Sequence, residues 1–220
     1  MAVSRKKPPA DWFSHTQNFG ALPPELSSPA KSRIVLIPVP YESSTTYRTG
    51  CRDGPRAVIE ASTNMELYDE ELRCEPSEGG IYTSPPLDIV DDAEQMLRRV
   101  EAVVSSHLER GKFVTVLGGE HTITLGIVRA LRRRHSLLSV LYLDAHADFR
   151  QSYRGNKYSH ACVARRISEL CHIVHAGVRS LSSEEAAVLE EKKAPIFWAS
   201  DFRRSRGTAE QAALIGRLVE

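Results

Sequence analysis

The sequence lacks long apolar runs and an excess of either charge. Its formal net charge is +1, from 29 Lys and Arg against 28 Asp and Glu. This balance argues against nucleic acid and against an anionic membrane surface as partners. No apolar stretch approaches the roughly 20 residues that cross a bilayer. Pro8 and Pro9 occupy the place where a secretion signal has its apolar core, so we expect a cytoplasmic protein.

Two kinds of short motif are also missing. The cysteines Cys51, Cys74, Cys162 and Cys171 form no Cys-x-x-Cys pair, which argues against a zinc ribbon or a thioredoxin-type site. We interpret them as reduced thiols. Gly118-Gly119 precedes a predicted helix but belongs to neither a G-x-G-x-x-G nor a Walker sequence, so we predict no nucleotide cofactor. A nucleotide-binding α/β domain is an alternative that depends on these glycines alone.

Apolar runs alternate with helical patterns along the chain. The predicted strands are 33–39, 113–117, 139–143, 172–176 and 194–199, and the predicted helices begin at 54, 91, 122, 161, 182 and 208. This alternation predicts an α/β fold, a mostly parallel sheet with helices on both faces. Residues 1–32 are rich in proline and serine, and we interpret them as an arm that packs little on one domain, 33–220.

Three candidate metal ligands follow the apolar run 139–143, which we predict to be a buried strand. Asp144, His146 and Asp148 stand at positions i, i+2 and i+4, so an extended backbone directs all three side chains to one face. Two carboxylates and an imidazole suit a divalent ion of intermediate hardness such as Mn²⁺. The alternative is that the acidic residues only meet water and cap the next helix.

A fourth candidate ligand, His121, follows the predicted strand 113–117. Ligands of parallel sheets bind outside the carboxyl ends of the strands. Strands 113–117 and 139–143 are consecutive members of one crossover unit, and we expect their carboxyl ends to be neighbours. His121 is therefore predicted to lie beside the Asp144 cluster, although a structural histidine is the alternative.

Several motifs together resemble those of the arginase/agmatinase (ureohydrolase) family, and most closely its agmatinase branch. The motifs are Gly118-Gly119-Glu120-His121-Thr122, Asp144-Ala145-His146-Ala147-Asp148, Tyr158-Ser159-His160-Ala161-Cys162, Gly177-Val178-Arg179-Ser180 and the segment 37–56. They occur in the family's order and span roughly residues 33–202. The resemblance implies an arginase-like three-layer sandwich with two Mn²⁺ ions at the carboxyl edge of the sheet.

The resemblance also assigns roles to individual residues. His121, Asp144 and Asp148 would bind one ion, and Asp144 and His146 the other. A hydroxide held between the ions would attack a guanidinium carbon. His160 and Asp148 are the predicted catalytic residues, with His160 relaying a proton or contacting the substrate. The alternative for His160 is a solvent-facing histidine at a helix start.

The implied reaction converts agmatine and water into putrescine and urea, a step of polyamine biosynthesis. The substrate would be a small guanidino-amine: agmatine, an aminopropylated agmatine or another. Arginine is less favoured, because no residue clearly binds an α-carboxylate. By the same resemblance we expect a homo-oligomer, a trimer or a hexamer, and neither nucleic acid nor membrane as partner.

One family motif is absent from the sequence. Family members carry Ser/Thr-x-Asp-x-Asp-x-x-Asp-Pro on a later strand, and its first two aspartates complete both ion sites. Nothing like it follows Asp201-Phe202. Two octahedral ions need about ten to twelve ligand positions, and the four side chains here fill fewer than half. We therefore expect either a fold truncated at its C-terminal end or a catalytically inactive subunit that acts through assembly.

Overall fold

The computed structural model of the chain describes residues 18–204 together with Ala213 and Gly216. The chain divides into two compact units, one ending at Ile123 and the other beginning at Thr124. Apart from Ala213 and Gly216, the predicted helix 208–220 lies outside the described residues, as do residues 1–17 of the predicted arm. No helix in the described ranges is long and apolar enough to cross a membrane.

The first unit is built on a three-stranded parallel sheet. Its strands are β1 (Ile34–Val39), β2 (Ile81–Thr83) and β3 (Phe113–Gly118), in the order β2-β1-β3. β1 is central and pairs on both edges, and its residues after Ile34 are all buried. Val39 is in register with Gly118, so the carboxyl ends of β1 and β3 lie side by side.

Helices of the first unit are α1 (Pro24–Ser27), α2 (Gly54–Ser62) and α3 (Ala93–Glu109). α2 has proline in its first turn, where the missing N–H costs nothing. The Asp92 carboxylate accepts a hydrogen bond from the Gln95 backbone at 2.7 Å and caps α3. Leu97, Val100 and Val104 recur at helical spacing and form the buried face of α3.

The described end of the predicted arm packs against the first unit. Leu22 is only 4% exposed. The Phe19 amide donates to the Thr83 hydroxyl at 3.0 Å, and the Gly20 amide donates to the Ser62 hydroxyl at 2.9 Å. The expectation that the arm packs little is therefore wrong for residues 18–32, because one leucine and two backbone amides anchor them.

The second unit is built on another three-stranded parallel sheet, in the order β4-β5-β6. Its strands are β4 (Ser139–Leu143), β5 (His172–Val178) and β6 (Ile196–Trp198), and its helices are α4 (Thr124–Arg134), α5 (Val163–Ser168), α6 (Ser183–Glu191) and α7 (Ala199–Arg204). The Ser182 and Glu185 side chains form a reciprocal capping box that begins α6. Parallel sheets with helices are thus confirmed.

One expectation about the strands is corrected by the structure. β4 is not buried: Leu141 and Leu143 are 44% and 72% exposed, and only Tyr142 among its residues is buried. An apolar run predicts a strand, but whether the strand is buried depends on what packs against it.

Candidate metal centre

Asp144 and His146 are arranged around one hydrogen bond in the loop after β4. The His146 amide donates to Asp144 Oδ1 at 2.8 Å, and His146 Nδ1 lies 3.4 Å from the same oxygen. The His146 side chain is 63% exposed and that of Asp144 is 20% exposed. A carboxylate and an imidazole are therefore held together at the carboxyl end of β4, as the Asp-x-His spacing predicts.

Asp148 ends the same loop in a buried and unusual conformation. Its φ is 48°, a region that residues other than glycine rarely adopt, and it is 8% exposed. The Tyr142 hydroxyl donates to Asp148 Oδ2 at 2.9 Å, and the Asp148 carbonyl accepts from the Ala164 amide at 3.1 Å. Burial, and then the charge of Asp148, raise the pKa of Tyr142 far above its ordinary value. Tyr142 thus stays a donor to this carboxylate.

The Gly177-Val178-Arg179-Ser180 motif runs beside the ligand loop. The Asp144 amide donates to the Ala176 carbonyl at 3.1 Å, and the Ala147 amide to the Ser180 carbonyl at 3.2 Å. Gly177 has φ +91°, and a Cβ there would lie 3.3 Å from the Asp144 carbonyl oxygen. The motif therefore supports the backbone from which the candidate ligands project.

His160 is the first residue of the 3-10 helix His160–Cys162. Its ring is half-buried and packs edge-on against Tyr153, with the centroids 5.7 Å apart. The Arg150 guanidinium lies 5.3 Å from the centroid of the same tyrosine. The contact with Tyr153 argues against the alternative of a histidine that only faces solvent.

His121 lies in the first unit, as the first residue of the 3-10 helix His121–Ile123 after β3. The two glycines before it have a packing role. A Cβ at Gly119 would lie 2.1 Å from the Tyr41 carbonyl oxygen, and one at Gly118 would lie 2.7 Å from Ile123 Cδ1. Close approach of the Tyr41 backbone explains Gly119, and Gly118 packs against the Ile123 side chain.

Two residues near the ligand loop were not predicted from the sequence to belong to the site. His175 is fully buried on β5, with ring centroids 5.3 Å from Tyr142 and 5.9 Å from Phe149. Neither of its ring nitrogens has a hydrogen-bond partner in the described part of the chain. Burial lowers its pKa to about 4, so the ring is neutral near pH 7. The apolar run 172–176 predicted a strand, but nothing in its pattern distinguished His175 from the residues around it.

Glu185 is the second of these residues. It belongs to the capping box that begins α6, and its carboxylate also reaches the ligand loop. Glu185 Oε1 accepts a hydrogen bond from the Phe149 amide at 2.9 Å, directly after Asp148 in the chain. The start of α6 is thereby tied to the end of the ligand loop.

The donor chemistry fits a divalent metal ion. His121, Asp144 and Asp148 each offer one atom that can ligate an ion, and His146 offers a ring nitrogen beside Asp144. Carboxylate oxygens and imidazole nitrogens without a thiolate suit Mn²⁺ or a similar ion.

The Arginase family model matches residues 32–218, and the chain belongs to this family. It is 42% identical over 186 residues to an N(1)-aminopropylagmatine ureohydrolase from Synechocystis, covering 80% of this chain and 60% of that protein. It is 31% identical to an agmatinase from Bacillus anthracis, covering 70% of this chain and 55% of the relative. The chain thus spans about three fifths of the length of these relatives.

Solved structures give the same fold. The agmatine ureohydrolase of Thermoplasma volcanium matches with a TM-score of 0.75 and 34% identity, over 80% of this chain and 60% of that one. The proclavaminate amidino hydrolase of Streptomyces clavuligerus matches with a TM-score of 0.80 and 24% identity, over 94% of this chain and 71% of that one. The arginase-like fold predicted from the motifs is confirmed.

Proposed function

We propose that this chain carries the metal-binding part of an agmatinase-type ureohydrolase that cleaves a guanidino group to urea and an amine. The observation that supports this most is the survival, in an arginase-family chain, of the Asp144-x-His146-x-Asp148 loop with its supporting contacts. The alternative, in which the acidic residues only meet water, does not explain the hydrogen bond that the Tyr142 hydroxyl donates to Asp148. The protein is further proposed to be cytoplasmic and homo-oligomeric.

In this proposal His121 joins Asp144 and Asp148 at one Mn²⁺ ion, and Asp144 and His146 contribute to a second. The ions, when bound, supply Lewis acidity, which generates a nucleophile from water at neutral pH and stabilises charge at the guanidinium carbon. The protein's own contribution is orientation. Tyr142 fixes one oxygen of Asp148, and the His146 amide fixes one oxygen of Asp144.

His160 is proposed to relay a proton or to contact the substrate. The leaving amine must gain a proton when the C–N bond breaks, and an imidazole within reach of it is a suitable general acid. Its contact with Tyr153 restricts the ring, and a restricted ring delivers a proton along a defined direction. Asp148 is proposed as the second catalytic residue, because it ends the loop that carries Asp144 and His146.

We propose a guanidino-amine as substrate, agmatine or its aminopropylated form. The relative at 42% identity is named for the aminopropylated compound, and the agmatinase of Bacillus anthracis is 31% identical. Arginine is less favoured, since no residue of the sequence clearly binds an α-carboxylate.

The 220 residues on their own are expected to bind Mn²⁺ weakly and to turn over slowly or not at all. Two divalent ions carry four positive charges, and the carboxylates of Asp144 and Asp148 supply only two negative charges. The Asp-x-Asp motif that would supply the rest is not in the sequence. The second candidate function, an inactive subunit that acts through assembly, is favoured by this same shortage.

Urea release from agmatine and from aminopropylagmatine, at saturating Mn²⁺, separates these possibilities. The comparison is between the 220-residue chain and a chimera that adds the C-terminal region of the Synechocystis relative. We expect activity in the chimera that Asp148→Asn abolishes and Asp88→Asn, an exposed control, leaves intact. A chimera without activity would favour the inactive subunit. Equal turnover by both forms would show that the absent aspartates are dispensable.

A further inference from the structure

Glu120 is a buried carboxylate held entirely by neutral donors. It is 3% exposed. One oxygen accepts hydrogen bonds from the Ser43 and Ser44 amides at 2.7 and 2.5 Å, and the other from the Ser44 and Thr122 hydroxyls at 2.6 and 2.5 Å. No cation in the described part of the chain forms an ion pair with it. Burying a charge is costly unless its hydrogen bonds are satisfied, and four donors meet that need.

These bonds connect two segments that are far apart in sequence. The Glu120 amide donates to the Tyr41 carbonyl at 2.8 Å, and the Gly119 amide to the Val39 carbonyl at 3.2 Å. Together with the bonds of the Glu120 side chain, they fasten the segment after β1 to the segment after β3. Both segments begin where the paired strands β1 and β3 end.

His121 lies between Glu120 and Thr122 in the chain. The Thr122 hydroxyl donates a hydrogen bond to the Glu120 carboxylate, and this bond closes the backbone that carries the His121 imidazole into a small ring. We propose that Glu120 is a positioning residue that fixes His121 for metal binding. This inference rests on the proposed role of His121 as a ligand.

The chain offers a matched control in Glu42. This carboxylate accepts hydrogen bonds from the Gly50 amide at 2.7 Å, the Arg52 amide at 3.1 Å and the Arg52 guanidinium at 3.0 Å. It therefore organises the same loop through similar bonds, but none of these reaches the His121 turn. A purely structural role for Glu120 predicts that both glutamates behave alike.

The test compares Glu120→Gln with Glu42→Gln in the full 220-residue chain, by calorimetric titration with Mn²⁺ and by urea unfolding. The glutamine side chain cannot accept from all four donors, because its amide nitrogen is itself a donor. We expect Glu120→Gln to weaken Mn²⁺ binding about 10- to 100-fold, the usual effect of losing a residue that orients a ligand. Glu42→Gln should lower stability and leave the affinity unchanged.

A second readout does not depend on metal or on activity. ¹³C relaxation at the His121 ring carbon reports the order of the imidazole in the metal-free protein, and we expect that order to fall in Glu120→Gln only. Equal Mn²⁺ affinity and equal ring order in wild type and Glu120→Gln would overturn the proposal. A chain that hydrolyses no guanidino compound, but shows the predicted loss of ring order, would instead refute the proposed function and keep Glu120 as a positioning residue.

Discussion

β1 and β4 have similar sequences and very different surroundings. Both are short apolar runs, and β4 ends just before Asp144 of the candidate site. β1 lies in the middle of its sheet and is buried from Val35 to Val39, whereas β4 lies at the edge of its sheet and exposes Leu141 and Leu143. An apolar run therefore indicates a strand, but its burial depends on which elements pack against it.

The largest difference between the two strands is expected from truncating one apolar side chain in each. Ile37 in β1 is 1% exposed and Leu141 in β4 is 44% exposed. Ile37→Ala should lower the free energy of unfolding by about 2 to 5 kcal/mol, because it leaves a cavity. Leu141→Ala should cost no more than about 0.5 kcal/mol. Urea unfolding followed by circular dichroism measures both, and equal losses would mean that β4 is covered in solution.

The loop after β1 should also make stability depend on acid pH. Burial opposes ionisation of Glu42, but hydrogen bonds from Arg52 and Gly50 outweigh it and lower the Glu42 pKa to about 2. Because the folded pKa is depressed, the stabilisation is present above the unfolded value near 4.5 and is lost as pH falls towards 2. We expect a loss of roughly 2 to 3 kcal/mol over that range. Urea unfolding at several pH values should show a smaller loss in Glu42→Gln, and an unchanged profile would contradict this assignment.

A smaller difference is expected in β4 and concerns the Tyr142 hydroxyl. Tyr142→Phe removes the donor to Asp148 Oδ2 and should cost about 1.5 kcal/mol of unfolding free energy. The control is Tyr82→Phe in β2, since the Tyr82 hydroxyl has no hydrogen bond within the described residues. If both substitutions cost the same, the Tyr142 bond to the ligand loop contributes nothing measurable to stability.

Local patterns predicted the parts of the molecule that local chemistry decides. The strand 113–117 and the helices predicted to begin at 54 and 182 are each explained by residues within a few positions of one another. The contact between Asp144 and the His146 amide likewise joins residues only two positions apart. These features need no distant partner to specify them.

Contacts between distant segments could not be predicted in the same way. The bonds of Glu120 reach Ser43, 77 positions earlier in the chain, and that of Glu185 reaches Phe149, 36 positions earlier. His175 is buried because β4 and β5 pair with Tyr142 opposite it. No spacing rule within either segment indicates such neighbours.

The close contact between Gly119 and the Tyr41 backbone limits how this chain can vary in sequence. A methyl group added there would overlap the Tyr41 carbonyl oxygen, which belongs to the backbone and cannot rotate away. A Cβ at Gly79, by contrast, would meet nothing within 4 Å. Mutational drift can therefore replace Gly79. At Gly119 only synonymous codon changes are tolerated, as long as the segment after β3 stays in contact with the Tyr41 backbone.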